Sequence, residues 1–201
     1  MKGLLRKDFY MLWHYCKSFL LLILVFSLVT LAEPNSFYTL YPVMVGSVLP
    51  ITVISYEERC KWSSYCQTLP VSKKTVVVEK YILTGICSAA ILSLSAITQC
   101  IAMLRRSAFS WSGYAELMST LLVLSLIGPS ITLPLIFKLG SEKGRYAYYF
   151  IIGGACGLSV YFSGMQFPAL PIPAFVMPIL AFALYGASCL VAIHFYQKRE
   201  L

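Results

Sequence analysis

Charge is what this chain has least of. Only 12% of its 201 residues are Asp, Glu, Lys or Arg, against 59% hydrophobic residues. An average soluble domain is about 25% charged, so a water-surrounded globule is excluded. Acid is scarcer than base: 8 Asp and Glu stand against 16 Lys and Arg, for a net charge of +8. Residues 34–56, 81–104, 117–137 and 146–197 contain no Asp, Glu, Lys or Arg. A membrane helix needs about 20 predominantly apolar residues. The first three runs predict one span each, and the last has room for two spans and a turn. Residues 18–32, extended backwards, predict another. The expectation is a single all-α membrane domain over 1–201, with six spans near 18–32, 37–56, 78–104, 115–137, 146–163 and 178–196.

Catalytic and metal-binding patterns are also missing. The seven cysteines (Cys16, Cys60, Cys66, Cys87, Cys100, Cys156 and Cys189) include no two-plus-two zinc spacing. In or near spans, Cys behaves as a small apolar residue. His14 and His194 lie near span ends, outside any metal-binding helix pattern. Ser163-Gly164 lacks the preceding glycine of a serine-protease loop. Glu57-Glu58 resembles the paired glutamates of one intramembrane protease family, but Trp62 stands where that family has arginine. No acid lies deep in any predicted span, which argues against a proton relay. Gly140-Ser141-Glu142-Lys143-Gly144 lacks the spacing of a phosphate-binding loop. The expectation is therefore no catalytic residue, no metal site and no ATP site on this chain.

What charge there is sits between the apolar runs, and it sets an orientation. With a cytoplasmic N-terminus, the cytoplasmic segments hold Lys2, Arg6, Lys7, Lys17, Arg59, Lys61, Lys73, Lys74, Lys80, Lys138, Lys143, Arg145, Lys198 and Arg199. Only Arg105 and Arg106, whose role is open, fall outside. This is the positive-inside bias. It predicts a multi-pass membrane protein with both termini in the cytoplasm. The positive charge thus reads as topology, and no nucleic-acid partner is expected.

Before the first span, Leu5, Phe9, Leu12, Trp13 and Cys16 fall on one helical face, with Lys7, Asp8, His14 and Lys17 elsewhere. This predicts an amphipathic helix over 2–17 lying in the interface. The alternative is a cleaved signal peptide ending near Thr30-Leu31-Ala32. Trp111 and Tyr114 suit the outer interface. Pro129 and Pro134 predict a bend in the fourth span. Gly153 and Gly157 make a close-packing face on the fifth. The stretch 164–178, apolar yet broken by Pro168, Pro171, Pro173 and Pro178, predicts either a re-entrant segment or a simple turn at the interface.

The densest charge is the island from Tyr56 to Lys74. Glu58, Trp62, Tyr65 and Leu69 recur at helical spacing, Glu57 precedes Lys61 by four, and Pro70 ends the pattern. A short surface helix over 57–67 is expected, with aromatic and charged anchors of the kind found in protein interfaces. Two glutamates fit poorly with a role confined to lipid headgroups, because an anionic leaflet repels them.

The opening Lys2-Gly3-Leu4-Leu5-Arg6-Lys7-Asp8-Phe9-Tyr10, the run Tyr56-Glu57-Glu58-Arg59-Cys60-Lys61-Trp62, and Thr68-Leu69-Pro70-Val71-Ser72-Lys73 with Lys80-Tyr81 carry a resemblance. The chain resembles the small six-span permeases of bacterial type-two ABC exporters, whose relatives include the phenol-soluble-modulin peptide exporter. It departs at Glu57, where the family pattern has Asp. The resemblance implies that the opening helix is an interfacial elbow. It also implies a coupling helix in which Glu57, Glu58, Arg59, Lys61, Trp62 and Tyr65 dock an ABC ATPase subunit. ATP and Mg would be bound by that partner, not by this chain. A second permease copy, identical or similar, would complete the pathway, with membrane lipid around it. Cargo would be amphipathic or hydrophobic, with peptides as one class. The reading from another class is a non-transporting membrane sensor, immunity or assembly protein.

Overall fold

A computed structural model describes residues 2–32, 36–66, 68, 72–105, 110–144, 146, 149, 150 and 176–198. Among these residues all regular structure is helical: α1 (Lys2–Tyr15), α2 (Lys17–Ala32), α3 (Ser36–Arg59), α4 (Trp62–Cys66), α5 (Lys73–Arg105), α6 (Trp111–Leu139) and α7 (Val176–Lys198). Four helices are long and apolar enough to cross a membrane: α3 from Tyr38, α5, α6 and α7. The pair α1–α2, bent by 71°, supplies a fifth candidate if it counts as one span. The described residues thus carry four to five candidate spans, where six were expected. Of the predicted fifth span only Tyr146, Tyr149 and Phe150 are described; its other residues, Gly153 and Gly157 among them, and the prolines Pro168, Pro171 and Pro173 lie outside the described residues. Pro178 lies in the first turn of α7.

The α1–α2 bend falls at Cys16, which is fully buried. Asp8, Leu12 and Cys16, four residues apart, face inward along α1. The expected amphipathic face is therefore divided. Leu12 packs inward, Leu5 is half-buried, and Phe9 and Trp13 point outward. The face that α1 buries begins with a carboxylate, which a helical wheel had assigned to the polar side.

Helix α3 is the hub. It packs against α1, α2, α4, α5 and α6. Its Ile51 and Ile54 join a core with Val77, Leu133 and Ile136, while Val43, Leu49 and Val53 join another with Leu12, Leu83 and Leu121. Hydroxyls along the spans are mostly satisfied within their own helix. Ser27 donates to Ile23 O, Ser47 to Val43 O and Thr84 to Lys80 O. Polar groups at membrane depth need such internal partners.

Helix α6 continues through both Pro129 and Pro134. Pro134 has no N–H, so the carbonyl of Ser130 lacks its helical donor. Ser188 on α7 supplies the replacement: its Oγ donates to Ser130 O at 2.6 Å. Tyr81 OH on α5 lies 2.7 Å from the same Ser188 Oγ. Because that hydroxyl's proton is directed to Ser130, Tyr81 is the donor. Tyr185 OH completes the junction by donating to Tyr81 O at 2.7 Å. Three helices are thus tied by neutral hydrogen bonds at the point where proline opened one of them.

Candidate functional site

The charged island does not fold as one helix. Helix α3 continues to Arg59, the chain turns at Cys60–Lys61, and helix resumes only over Trp62–Cys66. Lys61 takes a left-handed conformation at φ 52, which costs a non-glycine residue about 1–2 kcal/mol. The helix expected over 57–67 is therefore two pieces, because the inward pattern of α3 (Ile54, then Glu57) runs on past the last apolar residue. Leu69 and Pro70 lie outside the described residues.

The six expected docking residues separate accordingly. Arg59, Lys61 and Tyr65 are exposed, Glu58 and Trp62 are half-buried, and Glu57 is buried. Glu58 Oε2 accepts the backbone N–H of Ser141 at 2.7 Å. That bond holds the turn after α6, where Gly140 adopts φ 87, a conformation glycine takes at little cost. Trp62 and Tyr65 pack ring to ring at 5.3 Å. The Lys7 ammonium sits over the Trp62 ring, 3.9 Å from its centroid.

Lys7 leads into a cluster that sequence reasoning did not assemble. Lys7 pairs with Glu57, and also with Asp8 at 3.0 Å. Lys80 pairs with Asp8, with Glu57 at 2.7 Å and with Glu79 at 3.8 Å. Three elements meet here: α1 through Lys7 and Asp8, α3 through Glu57, and α5 through Glu79 and Lys80. Only Lys7 keeps appreciable solvent exposure, at 24% of its side chain. Burial pushes the Asp8 carboxyl up, but the ammonium groups, Lys80 foremost, hold it below its ordinary value overall. Burial pushes the nearby Cys66 thiol up, so it stays neutral. The signal for this cluster was present in the sequence. With so few acids in the chain, three of them lie beside a lysine or at a span end, all on one predicted side.

Beside the cluster is a cavity of about 240 Å³. Glu57, Glu58 and Lys80 form its polar wall, and Trp62, Phe137 and Tyr196 its aromatic wall. The short helix, the cavity and the ion cluster form one continuous unit. From α4 a chain of contacts runs through Trp62 and Lys7 to the carboxylates of α1 and α3 and the lysine of α5.

Residues 3–197 match the sequence profile of the family described as ABC-2 family transporter protein. The chain belongs to the ABC-2 transporter family. As an ABC-2 membrane protein it is an integral membrane transport subunit rather than an enzyme in its own right, and members of this family normally work with an ABC ATPase. No curated protein gives a significant match. Within the ABC-2 frame the ion cluster ties the opening helix to two candidate spans, immediately behind the short helix α4.

Proposed function

We propose that this ABC-2 protein is the permease subunit of an ATP-driven exporter in a bacterial cytoplasmic membrane, and that its ATPase docks on α4. The observation that carries this reading is the contact of Lys7 with Trp62, which joins a solvent-facing helix to a buried junction of three elements. Arg59, Lys61 and Tyr65 form the exposed docking surface. Glu57 and Glu58 act behind it, as the residues that receive the push. Closure of the ATPase around ATP and Mg moves α4. The ion cluster then carries that movement to α1, α3 and α5 together, as rigid-body rocking requires. A second permease copy completes the pathway, and the cargo is amphipathic or hydrophobic, in the manner of the peptide exporters that the sequence resembles. The α4 end is cytoplasmic, as the lysine and arginine distribution indicates.

The test is purification from the native membrane in mild detergent, with ATP hydrolysis as the readout. Wild-type protein should carry a stoichiometric ATPase. Tyr65→Ala and Lys61→Glu, both at exposed positions, should lose it while the permease stays folded. ATPase retained by both variants would remove docking on α4. A folded protein that never carries ATPase activity would favour the sensor, immunity or assembly reading.

A further inference from the structure

The ion cluster is short of one positive charge. Asp8, Glu57 and Glu79 supply three carboxylates, and Lys7 and Lys80 supply two ammonium groups. A net negative charge left away from water is costly unless something neutralises it. The deficit has a location. Among the described residues, five buried side-chain atoms have no hydrogen-bond partner, and three are Asp8 Oδ1, Glu79 Oε1 and Glu79 Oε2. Lys7 lies 3.0 Å from Asp8 Oδ1 as an ion pair but is not aligned as a donor to it. Glu79 is 1% exposed, and Lys80 approaches it only to 3.8 Å. Glu57 and Asp8, unlike Glu79, are each held by both ammonium groups.

The two carboxyls that keep unpartnered oxygens share a neighbour. Asp8 Oδ2 and Glu79 Oε2 flank the same Lys80 ammonium, Glu79 at 3.8 Å. Two carboxylates are both acceptors and cannot bond. One proton brings the cluster to neutrality, gives Glu79 a donor and gives Asp8 Oδ1 a partner, which leaves only one Glu79 oxygen unpaired. We propose that Glu79 binds a proton and donates it in a hydrogen bond to Asp8, so that the junction of α1, α3 and α5 is a proton-binding site. The charged and titratable groups facing it are Lys7 and Asp8 from α1, Glu57 from α3, Cys66 from α4 and Lys80 from α5 itself. Cys66 is neutral and supplies no charge. Asp8 keeps its charge because it has two ammonium partners, and Glu79 has the weakest compensation of the three acids.

The site has a functional consequence. Loss of the proton would leave Asp8 and Glu79 as facing anions across the α1–α5 contact and loosen the opening helix from its span. The proposal rests on the cluster alone, so it holds or fails independently of where an ATPase docks.

Infrared spectroscopy of the full chain in lipid nanodiscs reads the site directly, because a protonated buried carboxyl has a C=O stretch separate from carboxylate bands and shifted in D2O. At pH 7 the wild type should show this band, and Glu79→Gln should lack it. Asp8→Asn provides a second readout that does not depend on how Glu79→Gln folds. With Asp8 neutral, two carboxylates balance two ammonium groups, Glu79 ionises, and the band disappears although Glu79 is intact. A merely structural Glu79 would not respond in this way.

Thermal melting supplies the pH dependence. Unfolded Glu79 loses its proton above about pH 4.3, so the folded state binds one more proton at neutral pH. Stability then falls as pH rises, until the folded group also ionises. Glu79→Gln should remove that component of the slope. A wild type without the band, or a band that survives both substitutions, overturns the proposal. So does a missing band accompanied by stability that rises with sodium and not with acid, because a metal cation would then hold the site.

Discussion

Residues 80 and 81 of α5 are adjacent, both are buried, and both tie α5 to other helices by opposite means. Lys80 turns toward α1 and α3 and engages only charged groups. Tyr81 turns toward α6 and α7 and engages only neutral ones. The neutral junction repairs a defect: Pro134 deprives Ser130 of a donor, and Ser188 replaces it. It has one satisfied arrangement and no obvious second one. The charged junction has several. Lys7 and Lys80 both reach Asp8 and Glu57, so the partners can be redistributed without leaving an ion alone. A static joint suits helices that move as a body, whereas an exchangeable ionic joint suits the boundary between a moving surface helix and that body. Apolar contact alone would not distinguish the two, because lipid competes equally for apolar faces.

The charged side should break hardest. Lys80→Met leaves Asp8, Glu57 and Glu79 facing a single ammonium group. Removing one partner of a buried pair costs about 3–5 kcal/mol, so the melting transition in nanodiscs should fall sharply or the protein should fail to accumulate. Asp8→Asn in the same background should recover part of the loss by removing a now uncompensated anion. If Lys80→Met melts within error of wild type, the cluster contributes nothing net to folding.

Ser188→Ala is the matching lesion on the neutral side. It orphans Ser130 O and leaves the Tyr81 hydroxyl without its acceptor. An unsatisfied buried group costs about 1–3 kcal/mol, so the expected loss is clear but smaller than for Lys80→Met. The comparison also predicts different phenotypes. Ser188→Ala should lower stability with transport per folded molecule nearly unchanged. Lys7→Gln should alter transport per folded molecule as well. Lys7 is the most exposed member of the cluster, and its contact with Trp62 is worth about 0.5–1 kcal/mol at such a site. Its loss also removes its ion pairs with Asp8 and Glu57, so melting should fall, though less than for the more deeply buried Lys80, and the coupling of ATP hydrolysis to export should weaken. Transport and hydrolysis measured in the same reconstituted vesicles would separate these outcomes. Equal falls in stability and unaltered coupling would erase the proposed division of labour.

How far the sequence disclosed this arrangement follows the same division. Uncharged runs located the long helices α3, α5, α6 and α7, because span length and apolarity are local properties. The charged island was recognised as structurally distinct, and a short helix does lie within it. Its boundary differs from the sequence pattern because charge marks Glu57 and Glu58 as surface residues, whereas α3 continues inward through them. Asp8 was placed on a solvent face for the same reason: in helical patterning, charge stands for water. Pairing across 50 residues, Lys7 with Glu57, and across 72, Lys80 with Asp8, has no local periodicity to reveal it. Pro134 and Ser188 illustrate the limit again. The proline was legible as a perturbation of the fourth span, but which distant hydroxyl would repair it was not.

That repair gives the finest test of the comparison, a double-mutant cycle. If Ser188 matters because Pro134 withholds a donor, restoring the donor should make Ser188 partly dispensable. Pro134→Ala returns an N–H to α6, positioned to bond Ser130 O at i−4. Ser188→Ala in that background then orphans only the Tyr81 hydroxyl, so it should cost less than in the wild-type background. The coupling should be modest, since interhelical side-chain hydrogen bonds in membrane proteins average about 0.6 kcal/mol. It should also have one sign, with the double variant more stable than additivity allows. Strict additivity would mean that Ser130 O finds a donor elsewhere when Ser188 is truncated. The neutral junction would then be as exchangeable as the charged one, and the contrast between Lys80 and Tyr81 would reduce to a difference in strength.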